Sequence, residues 1–213
     1  MEEIPEAAFQ DILNELKRRP LETNHYRDIC GIGKSQAFGV VNKRCRPPDY
    51  SRQNWLRPYL YKLLLDFGAR FCPIPFNAIT VNQNYRAAPH YDKHNSGVSM
   101  VVAFGDYTGG ELELLEGERK GVYNVRHRPI VDNFSTVLHA VREFQGERYS
   151  LVFYTFEHPA WKVELPPPSV REVGGKWVFF RGEEKCSGLP HPLRGFKRPE
   201  KQKEISGKDL AQK

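Results

Sequence analysis

The sequence predicts a mainly β chain with flanking helices, its core a jelly roll of two facing sheets. Three observations lead there. From Phe76 onward apolar residues recur with period two in short runs: FNAITVNQNY, SGVSMVVAF, GELELL, GVYNV, RPIVDNF, STVLHAV and RYSLVFYTF. Turn residues separate these runs at short intervals, the spacing of a sandwich or barrel. Ahead of Phe76 the apolar period is helical in two stretches. With 213 residues, 39% of them hydrophobic and 12% aromatic, the chain can bury one sizeable core.

In chain order, the first element is an amphipathic helix over Pro5–Arg18. Ile4, Phe9, Ile12, Leu13 and Leu16 fall at helical spacing, and Arg18 and Pro20 supply a basic end and a breaker. A second helix is expected over Asn54–Phe67, with Leu56, Leu60, Leu63, Leu64 and Phe67 as its apolar stripe. Residues 1–75 thus read as an N-terminal extension packing on a β core at 76–165. Gly109-Gly110 and Gly174-Gly175 read as hairpin turns. The second would join REV to KWVFF as a ribbon in a C-terminal extension, 166–198, that opens on Pro166-Pro167-Pro168. The lysine-rich stretch 199–213 is expected to be a disordered basic tail.

The net charge of +6 admits an anionic partner without requiring one. Cys30, Cys45, Cys72 and Cys186 lie far apart with no C-x-x-C pair, which speaks against a zinc site or a disulfide framework. No segment approaches eighteen consecutive apolar residues, and the N-terminus lacks the basic start and apolar stretch of a secretory signal. The expectation is an intracellular protein of nucleus or cytoplasm, with no membrane partner.

His90-Tyr91-Asp92 places two metal-binding side chains at i and i+2, which an extended backbone points to one side. His139, inside the apolar run STVLHAV, is the best third ligand. Two histidines and one carboxylate leave a face of the metal open, the arrangement of non-haem Fe(II) oxygenases. Such iron needs an electron source, and Arg148 stands nine residues after His139, across a turn read at REFQGE. Its guanidinium can grip a carboxylate with two parallel hydrogen bonds. Ser150, two residues on, shares that strand face and can donate its hydroxyl.

These residues resemble the 2-oxoglutarate/Fe(II) oxygenase superfamily over roughly Phe76–Phe156, in NQNYRAAPHYD, GDYTGGELEL and RPIVDNFSTVLHAVREFQGERYSLVFY. The resemblance implies a double-stranded β-helix, a cupin-like jelly-roll variant. It makes His90, Asp92 and His139 the iron ligands and gives the distal carboxylate of 2-oxoglutarate to Arg148 and Ser150. Tyr85 is similar to a tyrosine that hydrogen-bonds the same co-substrate. The implied reaction consumes O2, converts 2-oxoglutarate to succinate and CO2, and hydroxylates a substrate C–H bond, with ascorbate as an optional reductant.

Within that superfamily the chain looks most like compact TET/JBP members, which oxidise 5-methylpyrimidines in nucleic acid. Gly33, Ser35, Gly39 and Arg44 resemble that group's G-x-S-x-x-x-G-x-x-x-x-R strand pair, and EFQGERYSL approximates the end of its core, with Glu143 where a proline is common. Asn95 stands three residues after Asp92, where some members carry a base-reading side chain. The implied partner is DNA carrying 5-methylcytosine or thymine, flipped into an aromatic pocket. Phe38, Tyr91, His94, Asn95 and Phe134 are expected near its mouth. Lys34, Lys43, Arg44, Arg46, Arg86 and Lys93 are available to phosphates, or else form an ordinary solvated face. The alternatives are a prolyl or lysyl protein hydroxylase, a small-molecule substrate, or a non-catalytic binding module on the same fold.

Other signals are set aside. Gly31-Ile32-Gly33-Lys34-Ser35 ends like a phosphate-binding loop, but Asp28 stands where the first glycine belongs. His127, among arginines in VRHRP, is expected to be exposed, and His158 lies past the point where a third ligand is placed. Asp106 reads as turn chemistry, and Glu111 and Glu113 as the solvent face of a half-buried strand.

Overall fold

The computed structural model describes residues 1–22, 31–43, 46–158, 160–161, 164–182 and 184–185. Arg44, the tail 199–213, Cys30, Cys45 and Cys186 lie outside the described residues. A 3-10 turn at Glu6–Phe9 runs into α1 (Gln10–Arg18), with Phe9, Ile12 and Leu16 buried as the helical period requires. The second predicted helix is two, α2 (Arg52–Leu56) and α3 (Pro58–Phe71). Pro58 has no N–H to continue α2, but at the first position of α3 that donor is not needed, so the helical path breaks at Arg57. Among the described residues no helix is long and apolar enough to cross a membrane.

The strands are β1 (Gly31–Lys43), β2 (Arg46–Tyr50), β3 (Ala78–Ala87), β4 (Asn95–Gly109), β5 (Leu112–Leu114), β6 (Gly121–Tyr123), β7 (Ile130–Asp132), β8 (His139–Val141) and β9 (Phe144–Phe156). One antiparallel sheet has the order β2-β1-β3-β9-β4-β7 and a smaller one β6-β5-β8. A bridge between His90 and His139 extends the smaller sheet beyond β8. From β3 onward the chain winds between the two sheets: β3, the His90 segment, β4, then β5 and β6, β7, β8 and β9. This winding is a double-stranded β-helix, the predicted fold class, with β1 and β2 widening its larger sheet.

Three turn readings change. Gly109-Gly110 closes no hairpin, because β4 and β5 belong to different sheets; the glycines turn a corner between them. REFQGE is mostly strand: β9 starts at Phe144, so only Arg142 and Glu143 separate it from β8. Asp106 is an exposed residue within β4, paired with Glu147. Gly174-Gly175 does turn the predicted ribbon, with Val173 opposite Lys176 in β10 (Pro168–Val173) and β11 (Lys176–Arg181). A short strand, β12 (Glu184–Lys185), pairs with β11. The ribbon lies on the helical side, where the Phe179 ring meets Tyr50, Trp55 and Tyr61.

Period two splits the larger sheet into two working faces. Outward, Ile79, Val81, Met100, Val102, Phe104, Tyr149, Leu151 and Phe153 pack with Phe9, Ile12, Leu16, Leu60, Leu64 and Phe67 of the helices. Inward, Val101, Ala103 and Tyr107 join Leu112, Leu114, Val125, Ile130 and Phe134 between the sheets. The helices thus stiffen the sheet from behind and leave its inner face to the site. Phe9 is the hub of the outer core, 5.0 Å from the rings of Phe67, Phe104 and His127. Phe9→Ala is expected to destabilise the chain by about 3–5 kcal/mol in urea unfolding.

His127, expected to be exposed, is only 9% exposed. Its N–H donates to the Ala103 carbonyl and its own carbonyl accepts from Ile4, which ties this segment between β4 and the N-terminus. Burial lowers the His127 pKa below the ordinary histidine value. Native His127 therefore favours the neutral ring, and its contribution to stability is lost as pH falls below the ordinary value toward the depressed one. His127→Asn is expected to flatten the melting-temperature profile as pH falls through and below the ordinary histidine value, about 6.5, after correction for the lost Phe9 stack. An unchanged slope contradicts this.

Candidate metal centre

β8 is only three residues long, and its free edge is filled by His90. The His90 N–H donates to the His139 carbonyl at 3.0 Å and the His139 N–H returns the bond at 3.1 Å. Directly opposed residues in such a bridge present their side chains to one face, and the two imidazoles stand 4.2 Å apart. Two residues on, the Asp92 N–H donates to the Phe134 carbonyl at 2.9 Å, fixing the third group beside them. One ligand atom from each of His90, Asp92 and His139 lies within 4.8 Å of the others.

Both rings are oriented by their own backbone. His90 Nδ1 is 2.8 Å from the Ala88 carbonyl, and His139 Nδ1 is 2.9 Å from the Val137 carbonyl. A proton held on Nδ1 leaves the Nε2 lone pair for a metal, and His90 Nε2 lies 3.4 Å from Asp92 Oδ1. Burial keeps the His139 pKa below its usual value, which favours the neutral, ligating form. At His90 burial acts in the same direction, but the Asp92 carboxylate and the Ala88 carbonyl outweigh it and the pKa rises. The Phe134 ring covers His139 at 4.8 Å and belongs to the inner cluster.

Across the interior, on the facing sheet, Arg148 is 2% exposed. Its guanidinium carbon is 5.5 Å from the Tyr107 ring centre and 5.6 Å from that of Phe144. It also hydrogen-bonds the Tyr107 side chain. Burial pulls the Arg148 pKa below its ordinary value, only partly offset by Tyr107 and Glu111. Its Nε is buried with no hydrogen-bond partner among the described residues. Buried donors are normally satisfied, so this one is open to a water or a ligand acceptor. Gly110 makes room for it: a Cβ there would stand 2.8 Å from Nε.

The other predicted residues separate clearly. Ser150 is buried on the Arg148 face of β9 and accepts a hydrogen bond from Asn82 Nδ2 at 3.1 Å. Ser35, also buried, sits opposite Asn82 in a row that runs Ser35, Asn82, Ser150, Ala103 across four strands. Tyr85 is half-buried just past Asn84, whose backbone has φ 49 and whose Oδ1 accepts from the Arg148 N–H at 2.8 Å. His94 is exposed beside the ligand loop, and Tyr91 is 37% exposed.

Phe38 does not reach any mouth. It is 0% exposed in the outer core, stacked on Tyr61 at 6.0 Å. Ser35 and Phe38 are three apart on one strand, so period two sends them to opposite faces. Phe134 likewise backs His139 from within and is 2% exposed. The Asn95 amide nitrogen is directed at Asp92 and Ser99.

Sequence reasoning missed Tyr107, Asn84 and Glu116. Glu116 accepts from the Leu138 N–H at 2.9 Å and hydrogen-bonds the Tyr91 hydroxyl, linking both ligand-bearing segments. Nothing local in GDYTGG or LLEGE marks these roles; they arise only when the sheets face each other.

No protein-family model matches the sequence, and no curated protein matches it. Among solved structures the chain is similar to NgTET1 in complex with 5mC DNA, at 13% identity and a TM-score of 0.49, covering 72% of this chain and 69% of that one. It is also similar to an oxidoreductase of the 2OG-Fe(II) oxygenase family from Burkholderia pseudomallei, at 19% identity and 0.45, covering 67% and 74%. A Pseudomonas putida prolyl-4-hydroxylase gives 15% identity and 0.45, covering 73% and 89%.

Proposed function

We propose that the chain is an Fe(II)- and 2-oxoglutarate-dependent dioxygenase. It would hydroxylate a substrate C–H bond as O2 is consumed and 2-oxoglutarate becomes succinate and CO2. One observation carries this reading: a His-Asp-His cluster and a buried arginine with an unsatisfied Nε flank the same inner cluster from facing sheets. Two imidazoles and one carboxylate suit iron and leave coordination positions for a co-substrate and dioxygen. The unsatisfied Arg148 Nε, the nearby Tyr107 hydroxyl and buried Ser150 suit the carboxylate at the far end of an oxo-acid.

Bound iron supplies the oxygen activation. The chain's own residues do the rest. His90, Asp92 and His139 hold the metal, Arg148 fixes the co-substrate, and Phe134, Phe144 and Tyr107 keep water from the space between them. Gly110→Ala crowds Arg148 without removing it. It is expected to raise the 2-oxoglutarate concentration for half-saturation about tenfold to a hundredfold, read by uncoupled succinate formation. An unchanged value contradicts the assignment of Arg148.

For the substrate, the reading is the 5-methyl group of 5-methylcytosine or thymine in DNA. Its support is the resemblance carried by Gly33, Ser35 and Gly39 with Arg44, the basic net charge, and the exposed ligand loop bearing Lys93 and His94. The test is mass spectrometry of methylated duplex and single-stranded DNA after incubation with protein, Fe(II), 2-oxoglutarate and air, with ascorbate added and omitted. An added oxygen on the methyl group is the expected result. Succinate formed with DNA untouched, while a prolyl or lysyl peptide is hydroxylated, overturns the DNA assignment.

A further inference from the structure

We infer that Asn95 holds Asp92 as a one-oxygen ligand, which makes it a positioning residue of the metal centre. The inference rests on the metal-site reading above. Asp92 Oδ1 is the oxygen that faces His90 Nε2, at 3.4 Å. The other oxygen, Oδ2, accepts from Asn95 Nδ2 at 3.3 Å. The same nitrogen donates to Ser99 Oγ at 3.0 Å, and Ser99 is 0% exposed. Both hydrogens of the amide are therefore engaged. A main-chain bond from the Asn95 N–H to the Asp92 carbonyl, 2.9 Å, closes the turn beneath them.

This contact needs a distorted strand. In regular β structure residues four apart stand roughly 13 Å from one another, yet the Asn95 and Ser99 side chains meet. They do so because β4 leaves its partner between Ser96 and Met100. The register with β9 passes from Ser96–Thr155 to Met100–Phe153, so β4 carries extra residues there. Gly97, with φ 69 and open space where a Cβ would be, permits the excursion. The segment Asn95-Ser96-Gly97-Val98-Ser99 thus forms a cup under Asp92.

The consequence is a fixed count of ligands. A carboxylate free to swing can bind a metal through both oxygens and fill a position the co-substrate or dioxygen needs. With Oδ2 hydrogen-bonded to a half-buried amide that is anchored on buried Ser99, Oδ1 is the oxygen presented. The open face of the cluster stays open.

The experiment uses the full chain and Co(II) as the probe, with affinity read by calorimetry and coordination read from visible absorption. Asn95→Ala is expected to weaken Co(II) binding about tenfold to a hundredfold and to change the absorption envelope. Ser99→Ala, which removes the anchor but keeps the amide, is expected to move both readings the same way and less far. If Asn95→Ala is poorly folded by circular dichroism, the Ser99→Ala result decides. Wild-type affinity and wild-type spectrum in a folded Asn95→Ala, or in Ser99→Ala in its place, overturn the inference. Failure of the unmodified chain to bind Co(II) overturns the metal-site reading, and the inference with it.

Discussion

His139→Ala is expected to abolish turnover while leaving the fold standing, and Asp92→Ala and His90→Ala are expected to do the same. His139 supplies one of three converging ligand atoms, and with two left a divalent metal loses its chelate. Substitutions beyond the ligands already cost metal sites about tenfold to a hundredfold in affinity. Loss of a ligand itself should exceed that, read as Co(II) affinity. Stability should change by only about 1–2 kcal/mol, because the β8 bridge to His90 is made by main-chain groups that alanine retains. A folded His139→Ala protein with full turnover removes His139 from the site.

Arg148→Ala has the second largest expected effect, and its two readouts diverge. Truncating one partner of a buried charged hydrogen-bond pair costs about 2–5 kcal/mol of binding. That is roughly a thirtyfold to several-thousandfold higher Kd for 2-oxoglutarate. The ligand-free protein should change little in stability, because relief of the buried charge offsets the lost Tyr107 hydrogen bond and the ring contacts with Tyr107 and Phe144. A guanidinium that is 2% exposed, with no ion pair among the described residues, is already costly to bury. Arg148→Lys keeps the charge and loses the fork, so its Kd should fall between the two. Equal 2-oxoglutarate affinity in Arg148→Ala contradicts the role. A large loss of stability in the ligand-free protein would mark Arg148 as structural instead.

How much of this was legible follows from the range of each signal. The period of two from Phe76 to Phe156 is a local signal, and it gave the strands of the β core. H-x-D works in the same way, since i and i+2 share a side in any extended segment. His139 and Arg148 could be selected by residue type and apolar surroundings. Their placement on facing sheets could not, because it depends on which sheet each short strand joins. The corner at Gly109-Gly110 shows the difference: a glycine pair reads as a turn in sequence, but not as a hairpin or a change of sheet. Phe38 was misplaced for a related reason, since a motif that spans Gly33 to Gly39 says nothing of which face each residue takes. Asn95 was visible as a polar residue near the ligands. That its amide is spent on Asp92 depends on a bulge in β4, and no sequence period reports a bulge.

The most direct test is an anaerobic titration of Fe(II) and then 2-oxoglutarate into the protein, followed by visible absorption. A metal-to-oxo-acid charge-transfer band that saturates stoichiometrically, and is lost in His139→Ala, is the expected result whatever the substrate. A folded wild-type protein that shows no band with both components in excess contradicts the dioxygenase reading at its centre.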